Sequence, residues 1–380
     1  MSLPAKTPSP VWGNRQVAIS HDWLLNRRGA ERVLKALLSG ARQTRLYTLF
    51  LDPRSIESVF LQHPITVSRL NRLPGVDRYY RYLLPLFRAG IESLHVKDAD
   101  VLISIHHSVA KGIPHDPGTK HICYCLTPMR YLWEPHLYGD ALSRSWRGSA
   151  MRLLSRRLKE WDLEVNRTVD RFVAISKTVQ DRVNAVYGRS SEVIYPGVDL
   201  DFFQPSGETG EGFYLVVSAL VPQKRVDIAV ESFRRNGKPL LVVGSGPLRK
   251  RLEGMSGANT RFLGWVSDEQ LRDLYRRARA LVFPGVEEFG LVPVEAQACG
   301  CPVIGFGNGG LTETVTELQS GIFFREPMPA ALSDAIEQFE RRRFHPREVR
   351  AAVERFSIPR FQAEWCDYLS KGWVSNPAAR

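Results

Sequence analysis

The stretch ALVFPGVEEFGLVPVEAQACGCPVIGF, residues 280–306, decides the reading of this chain. Ala280 to Pro284 is a short apolar run of the kind buried in a parallel sheet. Gly285 to Gly290 reads as a turn. Leu291 to Cys299 has helical spacing, with Pro293 tolerated in the first turn. Gly300 ends the helix, and Pro302 to Phe306 reads as the next strand. Strand, turn and helix in this order have chemical content. The first helical turn leaves backbone N–H groups without intrahelical partners, and the helix dipole favours an anion there. Gly290 allows close approach of a ligand to the backbone. Glu287 precedes that turn and Glu295 lies about one turn inside it. Two carboxylates beside an anion site suit sugar hydroxyls, which donate to carboxylates. Glu288 between them reads as a solvated surface charge.

Working outward, strand-like and helix-like segments alternate through nearly the whole chain, which predicts parallel sheets covered by helices. Strands are expected at Gln16–Asp22, Arg45–Phe50, Val101–His106, His121–Leu126, Phe172–Ser176 and Glu192–Tyr195. Helices are expected at Gly29–Leu38 and Ser143–Thr168. Pro196 to Gly212, rich in Pro, Gly, Asp and Glu, reads as a linker. A second series follows, with strands at Phe213–Ala219, Pro239–Gly244, Arg261–Val266, Ala280–Pro284 and Pro302–Phe306. Ser267-Asp268-Glu269-Gln270 has the spacing of a capping box. The expected architecture is α/β, with two Rossmann-like doubly wound domains facing across a cleft, where ligands bind near the strand ends. The domains are placed at 15–197 and 198–357, and the terminal helix 358–373 is expected to pack back on the first.

Composition excludes several classes. The chain has 380 residues, 43% hydrophobic and 24% charged, a globular balance that argues against disorder. No run of 18 apolar residues appears, so no membrane-spanning helix is expected. Met1 to Pro10 lacks an apolar core and reads as a loose tail, not a signal peptide. Five cysteines, an odd number, do not make a disulfide framework. Cys123, Cys125, Cys299 and Cys301 sit in apolar runs and read as buried thiols of a cytoplasmic protein. The net charge of +12 is uneven: residues 1–205 hold 29 Lys/Arg against 19 Asp/Glu. Two basic, aromatic stretches stand out. One runs from Arg69 to Arg88 through Tyr79, Tyr80 and Tyr82. The other runs from Arg144 to Trp161. They suit docking on anionic lipid headgroups; a nucleic-acid partner is not expected, since no binding motif accompanies them.

Several segments together resemble the family 4 retaining glycosyltransferases of GT-B fold. Glu287 to Glu295 resembles their E-x7-E signature. Val217 to Asp227, Gly244-Ser-Gly-Pro247, Arg261 to Val266 and Gly309-Gly-Leu-Thr-Glu313 resemble successive loops of their nucleotide domain. His21-Asp-Trp23, Gly29-Ala-Glu-Arg32 and Tyr124 to Trp133 resemble the mannosyltransferase-like branch that uses GDP-mannose. The resemblance implies a sugar-nucleotide donor, with mannose from GDP-mannose expected and a UDP-sugar as the alternative. It implies a lipid-linked or saccharide acceptor in surface polysaccharide synthesis, and a peripheral position on the inner face of the plasma membrane. Lys224 and Glu287 are the implied catalytic pair, Lys224 neutralising the diphosphate and Glu287 holding the hexose. Gly29, Arg225, Val266, Gly290, Leu291, Val292 and Glu295 would bind the donor, with Glu295 on the ribose. His107, Thr127 and Arg130 would lie on the acceptor or sugar side. No cofactor and no metal are expected, because Lys224 and a helix terminus supply the positive field and no Asp-x-Asp run appears. Two departures stand out. Leu126 replaces a His common in this branch, and Ala219 replaces an Arg common in the family. A catalytically silent nucleotide-sugar binder, and a GT-B epimerase or phosphorylase, are the rival classes.

Overall fold

The computed structural model describes residues 12–13, 15–26, 29–39, 41, 44–134, 146–206 and 212–371, with the side chains of 146–152 outside that description. The tail 1–10 and Arg144 fall outside the described residues, as do the side chains of Trp146, Arg147 and Arg152.

Two wholly parallel sheets carry the chain. The first holds β1 (Val17–His21), β2 (Arg45–Thr48), β3 (Ile65–Val67), β4 (Val101–His106), β5 (Lys120–Cys125), β6 (Arg171–Ala174) and β7 (Ser191–Val193), in the order 3-2-1-4-5-6-7. The second holds β8 (Tyr214–Val217), β9 (Leu240–Val243), β10 (Thr260–Gly264), β11 (Ala280–Phe283), β12 (Val303–Phe306) and β13 (Gly321–Phe324), in the order 10-9-8-11-12-13. Each is a doubly wound α/β sheet, as the alternating pattern predicts. Its apolar strands are buried on both faces: β1 and β11 are buried at every residue. In both sheets the winding reverses beside the first strand, between β1 and β4 and between β8 and β11. The carboxyl ends of those strand pairs are where a doubly wound fold leaves a crevice.

Two edge strands escaped the sequence reading. β3 has only three residues, none fully buried, so no apolar run marks it. β13 opens on Gly321, where a Cβ would stand 2.2 Å from the Val303 carbonyl oxygen. Between β3 and β4, short 3-10 turns replace a long helix, with Pro74, Gly75 and Pro85 interrupting any regular run. The capping box forms in full: the Ser267 hydroxyl accepts from the Gln270 amide, and the Gln270 side chain accepts from the Ser267 amide. The terminal helix, Ile358–Ser370, lies against the first domain. Its Gln362 side chain donates to the carbonyls of Ala36 and Ser39, and Trp365 meets Tyr124 edge-on at 5.2 Å. The four cysteines named above are buried and unbridged.

Candidate functional site

The turn after β11 is built by close backbone approaches. A Cβ on Gly285 would stand 2.9 Å from the Lys224 carbonyl oxygen, so this turn packs directly on the loop after β8. Gly309 and Gly310 hold it from the other side. Gly310 donates its amide to the Glu287 carbonyl at 2.8 Å, and a Cβ there would sit 2.2 Å from the Glu288 carbonyl oxygen. Gly290 has φ 91°, a conformation glycine adopts readily, and starts the helix Leu291–Ala298. Leu291 and Val292 form its first turn, half-buried, with their amides pointing out of the helix N-terminus.

This construction brings Lys224 onto Glu287. Their side chains form an ion pair, each about one-fifth exposed. A small cavity lined by Val217, Ser218, Lys224, Phe283, Pro284 and Gly285 lies at the ends of β8 and β11 beside them. Arg225 takes a left-handed φ of 48° and its guanidinium pairs with Asp227 at 3.2 Å. Val266 is half-buried beyond the end of β10, next to Trp265, which is 71% exposed.

Glu295 is buried, at 2% exposure. One carboxylate oxygen takes an ion pair from Arg32, which reaches across from the first domain's helix Gly29–Leu38; the other accepts from the Tyr275 hydroxyl at 3.3 Å. Arg32 also pairs with Asp268 at 2.5 Å. Burial raises the Glu295 carboxyl above its ordinary range, and Arg32 offsets part of that rise. Gly29 lies on the same helix; a Cβ there would make ordinary contact, 3.5 Å, with Leu291. The helix start of the first domain thus faces the helix start after Glu287.

On the first domain, Asp22 follows β1 and is fully buried. It accepts from the backbone amides of His107, Ser108, Val109 and Ala110 at 2.6–2.9 Å, so it caps the turn after β4. Its Oδ2 also lies 2.9 Å from His107 Nδ1. Burial opposes charge on the His107 imidazole, but Asp22, assisted by Glu31 and Glu288, outweighs it and raises its pKa. His106 and His121 are buried and linked to Tyr187 and Ser104, consistent with structural roles. Thr127 is nearly buried and donates to the Pro128 carbonyl at 3.1 Å. Leu126 is buried in the core of the first sheet, so the position of the absent His is filled by packing.

Glu288 departs from the sequence reading: it is not a solvated charge. Its side chain is 12% exposed and pairs with Arg130 and, at 3.0 Å, with Arg182, both from the first domain. Glu134 completes the group, 3.2 Å from Arg182. A second bridge crosses the cleft nearby. The Glu313 carboxylate accepts from the amides of Lys177 and Thr178 and from the Tyr195 hydroxyl, at 2.8–2.9 Å. It therefore caps the first-domain helix Lys177–Tyr187 from the second domain. Sequence reasoning gave no role to Arg32, Asp22, Arg182 or Glu313. Arg32, Asp22 and Glu313 lie inside motifs it quoted, but their partners are 85 or more residues away, and spacing carries no trace of that. Among the described residues no group of three or more His, Cys, Asp or Glu is placed to hold a metal ion, and no helix is long and apolar enough to cross a membrane.

Comparison with known proteins covers both domains. Residues 27–202 match the family model "Glycosyltransferase Family 4", and residues 198–355 match "Glycosyl transferases group 1". An uncharacterized glycosyltransferase of Methanocaldococcus jannaschii is 30% identical over 172 residues, 44% of this chain and 48% of that protein. A D-inositol 3-phosphate glycosyltransferase of Mycobacteroides abscessus is 29% identical over 194 residues, 44% of this chain and 43% of that protein. The chain thus spans about half the length of the curated relatives it matches. Among solved structures, HepE of Anabaena in complex with UDP and glucose superposes with a TM-score of 0.68 at 18% identity, covering 94% of this chain and 100% of that one. Sucrose-phosphate synthase of Thermosynechococcus elongatus gives 0.67 at 18% identity, covering 94% and 98%.

Proposed function

We propose that this chain, whose residues 27–202 match the family 4 model and 198–355 the group 1 model, is a GT-B glycosyltransferase that transfers a hexose from a nucleoside-diphosphate sugar with retention of configuration. The observation that carries this reading is the Lys224–Glu287 pair at the β8–β11 switch point, with Glu295 buried one helical turn on. A sugar nucleotide needs three things there. Its diphosphate needs positive charge, which Lys224 and the exposed amides of Leu291 and Val292 supply. Its ribose needs an acceptor for two hydroxyls, which Glu295 supplies. Its hexose needs a second acceptor, which is Glu287. Donor binding displaces Lys224 from Glu287 toward the diphosphate, so the pair converts from mutual neutralisation to two separate contacts.

In the reaction the bond between the sugar's C1 and the leaving phosphate oxygen breaks, and a bond from the acceptor oxygen to C1 forms on the same face. The acceptor's proton passes to the leaving phosphate. Lys224 stabilises the charge that builds on that phosphate, so no metal is required by this arrangement. The resemblance of residues 21–32 and 124–133 favours GDP-mannose, and the UDP-bound neighbour makes a UDP-sugar the second reading. A thermal-shift panel of GDP, UDP, ADP and their sugars tests this, because only ligands of the folded state raise its melting temperature. Stabilisation by GDP and GDP-mannose alone supports the first reading. Stabilisation by none of the panel removes the donor site. The silent-binder reading, motivated by Leu126 and Ala219, fails if purified protein hydrolyses or transfers from a stabilising donor.

The acceptor side carries a surface for a lipid boundary. Tyr82 is 84% exposed and Leu86 45%, among Arg78, Arg81 and Arg88. Leu153 and Leu163 are exposed on the helix Trp146–Glu164, which is tied to the same segment where Trp161 donates to Glu92 at 2.8 Å. This combination suits docking on anionic headgroups and delivery of a lipid-linked acceptor. Sedimentation with phosphatidylglycerol vesicles but not phosphatidylcholine vesicles is the expected result; equal binding to both sinks it.

A further inference from the structure

Arg130 and Arg182 do something unusual for first-domain residues: they converge on a single carboxylate from the other domain. Glu288 belongs to the donor-side turn, one residue from Glu287, yet its side chain is drawn across the cleft. Both arginines are largely covered, with 13% and 23% of their side chains exposed. Guanidinium groups match phosphate oxygens as well as they match carboxylate oxygens, and bind both through paired N–H donors. The second carboxylate, Glu134, comes from the first domain itself and pairs with both arginines, at 3.7 Å from Arg130 and 3.2 Å from Arg182. Removing Glu288 from the group leaves two cations against one anion. Glu288 is also among the carboxylates that favour the charged form of His107.

We propose that the acceptor bears a phosphate ester close to its accepting hydroxyl, and that Arg130 and Arg182 bind this phosphate in the place Glu288 occupies. The proposal rests on the transferase reading above, because it assigns the first-domain side of the cleft to the acceptor. It adds the acceptor's chemical class. Glu288 and the phosphate compete for the same guanidinium groups, so the contact between domains is traded for a contact with substrate. Because Glu288 sits next to Glu287, the phosphate lies beside the donor hexose.

The test uses the full chain and measures phosphate binding directly by titration calorimetry, with inorganic phosphate and with farnesyl phosphate in neutral detergent as probes. Glu288→Gln removes the competing charge while keeping the side chain's size, and should bind both probes about tenfold more tightly than the wild type. A misfolded variant could not produce that gain. Arg130→Gln and Arg182→Gln should each weaken binding about tenfold or more. Lys224→Gln removes any phosphate bound on the donor side and should leave the arginine-dependent binding within a factor of about two. A farnesyl phosphate affinity far above that of inorganic phosphate, and arginine-dependent, supports a lipid source. Equal affinities support a soluble phosphorylated acceptor. The proposal is overturned if Glu288→Gln and both arginine variants bind phosphate like the wild type, or if only Lys224→Gln weakens it. Nucleoside diphosphate titrated into the same samples reports the donor reading separately. Phosphate binding without nucleotide binding would sink that reading alone, and nucleotide binding without phosphate binding would sink this one alone.

Discussion

Replacing Arg32 by Met would leave Glu295 as a buried carboxylate without its ion-pair partner. Glu295 is 3% exposed at its side chain and Arg32 is 26% exposed. Breaking a buried pair by removing one partner costs about 3–5 kcal/mol. Arg32 is a quarter exposed and the Tyr275 hydroxyl still donates to Glu295, so the lower end, about 3 kcal/mol, is the better figure. For a domain of this size that corresponds to a fall in melting temperature of about 6–12 °C. The size of the effect depends on pH in a fixed direction. The Glu295 carboxyl already titrates above its ordinary value because of burial, and losing Arg32 raises it further. A group whose folded pKa is raised costs least below its unfolded pKa, near 4.5, and most once pH has risen through the folded one. Calorimetric melts of wild type and Arg32→Met at pH 5 and pH 8 should therefore show a deficit at pH 8 at least about twice that at pH 5. An equal deficit at both, or none at pH 8, would refute the assignment of Glu295 as an anion held by Arg32.

Other expectations follow from the same geometry. Lys224→Ala and Glu287→Ala should each lower turnover strongly, read as product formed per enzyme at saturating donor; near-normal rates in both would remove the site assignment. Glu313→Ala strips the carboxylate that caps Lys177 and Thr178 from across the cleft, at a cost of about 1–2 kcal/mol. Amide exchange at 177–180 should quicken, and unchanged exchange would deny the cap a role, the remaining support being the Ser176 hydroxyl on Val179. Burial holds His21 and His106 down at about 4, with His107 adding to the effect on His21 and Lys111 to that on His106. Keeping them neutral contributes stability that is complete above about 6.5 and drains away as pH falls toward 4, at roughly 1.4 kcal/mol per pH unit for each group. His106→Phe should flatten that acid limb of the melting curve; an unaltered limb would contradict the buried neutral state.

Much of the fold was legible in the residues because its signals are local. Apolar runs such as Ala280–Phe283, a capping box at Ser267–Gln270, and glycine at Gly290 each report on their own few residues. The turn after β11 was legible for the same reason, since Glu287, Gly290 and Glu295 share one strand-turn-helix unit. Residues acting across the cleft were not. Glu288 looked like a solvated neighbour because its partners, Arg130 and Arg182, lie in the first domain. Arg32 stood in a quoted motif, yet nothing around it announced Glu295, 263 residues on. β3 leaves no apolar pattern because none of its three residues is buried, whereas β13 is an apolar, mostly buried run whose four residues are too few to mark a strand. The departure at Leu126 is steric: it packs into the core of the first sheet.

The central claim is that Lys224, Glu287 and Glu295 hold a sugar nucleotide. Titration calorimetry of the stabilising nucleoside diphosphate against wild type, Lys224→Ala and Glu295→Gln tests it most directly. The account predicts one site per chain in the wild type, with affinity falling about tenfold or more in each variant. A nucleotide that binds all three proteins equally would contradict it.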